Sequence, residues 1–254
     1  MEQSTIKVRV GRFTWIVRED SAPCASLLKD PDQHLTTPEL LIKNSDIVTI
    51  GRVPPTSPKD KRLILRRLNY RNWRHQLRDF FRPSRAKMAF VRGLALEAAA
   101  VPTPRALAVA EVRRLRWPIR AYLITEEVPD ALNIGWVIRR KRAVLADLTL
   151  NLAAALAKLH ASGFSHRDLK PSNILVHGKN EIAFIDLDAV RQYPRLPETR
   201  AVDDLVRLAQ GLFGSPGISA LLLARFLRHY CRLRTLDCQR WWSLLRTRLA
   251  VAPR

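Results

Sequence analysis

Cysteine is scarce in this chain, with three among 254 residues. Cys24, Cys231 and Cys238 form no CxxC pair, and an odd three cannot build a disulfide framework, so a reducing compartment is expected. Acidic side chains are few as well: 23 Asp and Glu stand against 44 Lys and Arg, a formal charge of +21. Such a field draws polyanions, whether nucleic acid, an anionic membrane surface or a phosphorylated glycolipid. Long hydrophobic runs are missing. The longest helical apolar stretch, Val144 to Leu159, is interrupted by Asp147, Asn151 and Lys158, so it is too short and too polar to span a bilayer. No apolar segment follows the polar start Met1 to Thr5, and no signal peptide is read. No His/Cys cluster has zinc spacing, and no interleaved aromatic–basic platform for RNA is present, so nucleic acid is not an expected partner. What remains is 47% apolar, enough to fold into a packed globule.

Strand signals dominate the first part of the chain. Ile6 to Val10 and Phe13 to Val17 alternate about Gly11-Arg12 like a hairpin. They fall in a segment, residues 1–37, that reads as an N-terminal extension closed by the loop residues Pro31, Thr37 and Pro38. Leu40 to Lys43, Ile47 to Val53 and Arg62 to Leu68 read as three strands, with a turn at Pro54, Pro55 and Pro58. Helices are expected over Trp73 to Phe81 and Ser84 to Ala100, the latter with Ser84 as N-cap. Ala106 to Val112 and Ile119 to Thr125 read as strands, and Glu126 to Ala131 as a connection. Ala143 to Ser162 is a periodic apolar helix with Gly163 just past its end. Ile174 to His177 and Ile182 to Ile185 read as a hairpin about Gly178-Lys179-Asn180. After Tyr193 the chain is helical, punctuated by Gly211, Gly214, Pro216 and Gly217. This order is α+β and suits a small sheet lobe, residues 38–128, with a mainly helical lobe, residues 129–254.

His166-Arg167-Asp168-Leu169-Lys170-Pro171-Ser172-Asn173 carries the chemistry. Phosphoryl transfer needs a carboxylate to orient the attacking hydroxyl, oxygen ligands for Mg²⁺, and cations on the phosphates. Asp168 suits the base, Lys170 the charge on the transferring group, and Asn173 a metal ligand. Asp186, at the end of the hairpin, suits the main metal ligand. Together with Leu159-His160 and Gly163, this run resembles the catalytic loop of protein kinases.

Asp186-Leu187-Asp188 departs from the Asp-Phe-Gly of protein kinases. No Gly-x-Gly-x-x-Gly loop, Ala-Pro-Glu motif or long activation segment is found. The I-D-x-D ending is similar to the bacterial lipopolysaccharide-core kinases, which phosphorylate heptose or Kdo (3-deoxy-manno-octulosonic acid). Arg66 to Tyr70, Trp73-Arg74-His75 and Phe81 to Ala86 resemble that family's lysine-containing strand and arginine-rich segment. Pro102 to Arg105 and Tyr122 to Glu126 resemble its run into the hinge. The resemblance spans Leu40 to Tyr230 and implies a two-lobed protein-kinase-like fold, with a small antiparallel-sheet N-lobe and a helical C-lobe. It also implies ATP between the lobes, Mg²⁺, a glycolipid acceptor, and a cytoplasmic place, peripheral on the inner face of the inner membrane.

By that alignment Arg66 stands where the family carries a lysine for the α/β-phosphates, and the exchange is not neutral. Three readings stay open: Arg66 serves directly, Lys43 reaches the phosphates instead, or the kinase is weak or inactive. Glu97 is the one acid on its helix that could pair with that cation. The backbone of Glu126, Glu127 and Val128 would meet adenine. His166 would support the loop, and Asp203 or Asp204 would brace it. Two further readings of function stand beside the sugar kinase: a Ser/Thr protein kinase, suggested by the Lys170-Pro171 pair, and a pseudokinase binding membrane or a partner, suggested by Arg66. The basic runs Arg67, Arg71, Arg74, Arg78, Arg82, Arg85 and Arg139 to Arg142, and the pair Trp241-Trp242, are either anionic-surface contacts or ordinary structure.

Overall fold

A computed structural model describes residues 4–20, 23–55, 57, 60–70, 80, 82–115, 117–212 and 218–251. The helix expected over Trp73 to Phe81, Phe80 apart, lies outside these residues. So do Arg71, Arg74, Arg78, Pro58, Gly214, Pro216 and Gly217. The chain forms two compact units, residues 1–98 with 104–127, and residues 99–103 with 128–254.

In the first unit β1 (Thr5–Val10), β2 (Phe13–Arg18), β3 (Leu41–Asn44), β4 (Val48–Val53), β5 (Leu63–Asn69), β6 (Ala106–Arg114) and β7 (Trp117–Glu126) build one sheet in the order β1-β2-β6-β7-β5-β4-β3. All its pairs are antiparallel. Residues opposite one another share a face. Trp15, Ala110, Tyr122, Arg67 and Thr49 lie in one register row. Around this row Trp15, Tyr122, Phe13, Val17, Leu65 and Ile124 form a buried core with Leu27, Leu28 and Leu35. Two of these three leucines sit on α1 (Ala25–Lys29). The opposite face carries α2 (Arg85–Ala98), which lies against β6 and β7. Its buried Ala86, Ala89, Phe90, Gly93 and Leu96 recur at helical spacing.

Residues 1–37 are therefore no separate extension. The hairpin β1–β2 continues the sheet through Trp15 to Val17 on β6, and the segment behind it covers a face that would otherwise be wet. Trp15 Nε1 donates to Leu28 O at 2.9 Å. Asp32 accepts from Arg67 at 2.9 Å, from Arg120 at 2.5 Å and from the Tyr122 hydroxyl at 3.1 Å. Burial, together with the Asp32 carboxylate, pushes the Tyr122 phenol up to about 12. Arg67 is thus held inside the fold rather than offered to a ligand.

In the second unit β8 (Leu132–Asn133) precedes α3 (Ile134–Arg140) and α4 (Leu145–Ala161). Leu145, Leu148, Leu152, Leu156 and Leu159 of α4 are buried. A short strand β9 (Phe164–Ser165) leads to the hairpin β10 (Ile174–His177) and β11 (Glu181–Phe184), and β10 also pairs with β8. Then come β12 (Arg191–Gln192), α5 (Glu198–Leu212), α6 (Ala220–Leu233) and α7 (Cys238–Val251). Trp241 is buried against Tyr230, whereas Trp242 is exposed. Helices α3 to α7 enclose an apolar cavity of about 550 Å³, lined among others by Leu148, Leu152, Leu208, Phe226 and Trp242. None of the described helices is long and apolar enough to cross a membrane.

Candidate active site

Gly163, at φ 82°, turns the chain from α4 into β9 and accepts the Tyr193 N–H on its carbonyl. A Cβ there would meet Tyr193 O at 2.4 Å. Gly163→Ala is expected to cost at least about 1–2 kcal/mol from backbone conformation alone, read as a fall in the thermal midpoint.

The loop His166 to Asn173 is tied down from beneath. Asp204, 1% exposed on α5, accepts the backbone N–H of His166 at 2.7 Å and of Arg167 at 2.8 Å. His160 Nε2 lies 3.4 Å from the same carboxylate, and His160 Nδ1 lies 2.7 Å from the Tyr230 hydroxyl. Arg167 takes a left-handed φ of 62°, a strained conformation for an arginine; the two convergent amides hold it there. His166 Nε2 donates to Ile185 O at 2.9 Å, which joins the loop to the residue just before Asp186.

Asp168 is fixed by its neighbours. Asn173 Nδ2 donates to Asp168 O at 2.9 Å and to Oδ2 at 3.0 Å, and Lys170 Nζ reaches the same Oδ2 at 2.8 Å. These side-chain contacts fall on Oδ2 rather than on Oδ1. Asn173 uses its amide N–H groups on Asp168, which turns its Oδ1 to other work. Ile185 N donates to Asn173 O at 3.0 Å, so the hairpin brings Asn173 and Asp186 together at its open end. Asp186 itself is left-handed at φ 62°. Among the described residues no three His, Cys, Asp or Glu side chains cluster as a metal cage. One carboxylate and one amide oxygen are still a donor set that suits Mg²⁺, which keeps waters and takes phosphate oxygens for its other ligands.

Burial pulls the pKa of His160 down, so its ring is neutral near neutrality. Burial alone would raise that of Asp204; the His160 contact and the Arg167 amide outweigh it and hold the carboxyl below its ordinary value. Both shifts act in one direction. An unfolded histidine gains a proton below about pH 6.5 that the buried ring refuses, and an unfolded aspartate does so below about pH 4. The unfolded state binds more protons, so stability rises with pH across both ranges. A lower denaturant midpoint at pH 5 than at pH 7 is expected, and His160→Asn should flatten the upper part of that slope.

The remaining expected residues, Val128 apart, belong to the first unit. Arg66 is half-buried on β5, and Lys43 is exposed on the edge strand β3. Both face Ile50 in register, so they share one face two strands, or about 10 Å, apart. Glu97 does not serve as the acid partner of Arg66: it binds Arg18 at 2.5 Å and lies 3.6 Å from Arg105. The amides of Glu126 and Glu127 are already engaged, with Arg105 O at 2.9 Å and Arg62 O at 2.8 Å. Their side chains bind Lys61 and Arg52. For a ligand this leaves Val128 and the carbonyls of the connection.

Three residues that shape the loop are not among the expected site residues, although Gly211 reads as a break and Thr103 lies in the run that resembles the family's approach to the hinge. Asn133 donates to Pro171 O at 3.0 Å and caps α3 through Gly135 N at 2.9 Å; an Asn directly ahead of an apolar helix was the available signal. Gly211 lets α5 approach Pro171, where a Cβ would meet Pro171 Cδ at 2.4 Å. Thr103 Oγ1 donates to Phe184 O at 2.9 Å, and Pro102 O accepts from Phe184 N at 3.0 Å. These two bonds pin the strand that ends at Asp186.

Comparison with known proteins agrees with this geometry. The 3-deoxy-D-manno-octulosonic acid kinase of Vibrio vulnificus is 29% identical over 113 residues, 44% of this chain and 46% of that protein. The chain thus spans about half the length of the curated relatives it matches. Cyclin-dependent kinase 12 of Caenorhabditis elegans is 35% identical over 95 residues, but these are 12% of its length. Among solved structures, WaaP in complex with acyl carrier protein superposes with a TM-score of 0.59 at 18% identity, over 87% of this chain and 92% of that one, which shows a shared fold. The description of the lipopolysaccharide kinase (Kdo/WaaP) family matches residues 65–230, about two thirds of the chain and the whole of the loop, hairpin and Asp204 brace, and the chain belongs to that family.

Proposed function

We propose that this protein transfers the γ-phosphoryl group of ATP to a sugar hydroxyl of the lipopolysaccharide core, on Kdo or heptose. The observation that carries the reading is the fixed Asp168, held through Oδ2 by Lys170 and Asn173. The acceptor hydroxyl gives its proton to Asp168. Its oxygen bonds to the γ-phosphorus as the bond to the ADP oxygen breaks. Lys170 offsets charge on the transferring group. Asp186 and Asn173 would hold Mg²⁺, which when bound neutralises phosphate oxygens. The charge of +21 suits an acceptor embedded among anionic lipids, reached from the cytoplasmic leaflet.

The test offers γ-labelled ATP and Mg²⁺ with a Kdo-terminated glycolipid and a generic protein substrate in one reaction. Label in the lipid supports the proposal; label confined to protein would replace it with a protein kinase. Arg66 is assigned to the nucleotide phosphates. Arg66→Ala is expected to lower kcat/KM about a hundredfold, and Arg66→Lys to keep it within about tenfold, since the charge stays. Equal losses in both variants, or no loss in either, would move that role to Lys43.

The cavity in the helical unit is lined mostly by hydrocarbon side chains, with Thr149 and Arg246 also in its wall, and suits an acyl chain. Acyl carrier protein, the partner of the solved neighbour, is proposed as a second partner on that ground. A rise in thermal midpoint with the acylated carrier but not with the unacylated one would support it.

A further inference from the structure

The turn joining β6 to β7 is unlike the rest of the sheet. It reads Arg113-Arg114-Leu115-Arg116-Trp117. Leu115 sits at its tip, 86% exposed and with φ 49°. A leucine in the left-handed region is disfavoured, and Gly or Asn would relieve it. No packing in the described fold compensates, so both the strain and the exposure favour a role outside the fold. Trp117 and Ile119 are 42% and 41% exposed. The register of β6 and β7 shifts between Val112 and Arg113, so the strand end that carries them is offset from the regular ladder before it. Phe80 packs edge-on against Trp117 at 5.0 Å. Four large apolar side chains, Leu115, Trp117, Ile119 and Phe80, thus lie near one end of the sheet.

Among the described residues the exposed charges beside them are basic. Arg114 is exposed, and Arg113 binds the carbonyls of Phe80 and Arg82. The acids near the strand ends are engaged: Glu111 by Arg113 and the Ser84 amide, Asp32 by Arg67 and Arg120.

From this we infer that the β6–β7 tip is a membrane-docking element, which inserts Leu115 and Trp117 among the headgroups of an anionic bilayer while its arginines bind lipid phosphates. Tryptophan favours that interface, an aliphatic tip enters the acyl boundary, and basic side chains add attraction to anionic lipid. A net charge of +21 is complementary to such a surface. The element is separate from the catalytic loop, so its test needs neither ATP nor sugar.

The full chain is sedimented with phosphatidylcholine vesicles and with mixed phosphatidylcholine–phosphatidylglycerol vesicles. Binding to the mixed vesicles and little to the neutral ones is expected. Leu115→Asn, which suits the left-handed backbone and leaves the fold at least as stable, should weaken that binding about tenfold. Trp117→Ser should act alike, and Arg114→Glu should reduce the preference for anionic lipid. Phosphoryl transfer to a water-soluble acceptor should be unchanged in all three. Unaltered vesicle binding by Leu115→Asn and Trp117→Ser would overturn the inference, as would failure of the wild-type chain to bind anionic vesicles.

Discussion

Asp168→Asn should reduce kcat by about 10²–10⁴-fold while leaving nucleotide affinity and thermal midpoint near their wild-type values. The carboxylate lies in a half-open position, with its side chain 40% exposed, so the fold does not depend on it. Asparagine keeps the shape and can still accept from Lys170. What it loses is the basic oxygen that, in the proposed reaction, takes the hydroxyl proton, and the negative charge that Lys170 binds. The expected split is therefore a fall in kcat with KM for ATP little changed. Single-turnover transfer and a calorimetric titration with ATP measure the two halves. Retained turnover would refute the role assigned to Asp168.

Removal of residues 1–37 should unfold the sheet unit. The deletion takes Phe13, Trp15, Val17, Leu27, Leu28 and Leu35 out of one core, and each buried side chain of this size is worth about 1.5–3 kcal/mol. It also strips Asp32 from Arg67, Arg120 and Tyr122, leaving a half-buried arginine without its carboxylate. Against a total stability of about 5–15 kcal/mol these losses leave no folded sheet. Trp15→Ala is the milder version, expected to cost about 3–5 kcal/mol. Circular dichroism and limited proteolysis of the truncated chain read the result. A truncated protein with a native thermal midpoint would show that the hairpin is dispensable.

The catalytic loop and the first unit differ in how far local sequence dictates them. The catalytic loop is eight contiguous residues, and Asp186 follows after a hairpin whose turn is itself marked, so local signals carry it. Asp204 is the expected brace, but motif position alone offers Asp203 beside it. The helix pattern could have separated them: Ala201, Asp204, Leu205 and Leu208 share the buried side of α5, while Asp203 lies outward with Arg200 and Arg248. The first unit was harder, because its decisive contacts are remote in sequence. β2 meets β6 some ninety residues on, and Glu97 meets Arg18 across 79. Nothing in a strand's own residues names its neighbour. The engaged amides of Glu126 and Glu127 depend likewise on Arg105 and Arg62, strands apart from the hinge.

The central claim is that this loop phosphorylates a core sugar, and the mass of the product tests it most directly. The core oligosaccharide is released from glycolipid incubated with the protein, ATP and Mg²⁺, and weighed by mass spectrometry beside the Asp168→Asn control. A single added phosphate on a Kdo or heptose residue, absent in the control, is the predicted result. An unchanged saccharide mass from folded, ATP-binding protein would contradict the account.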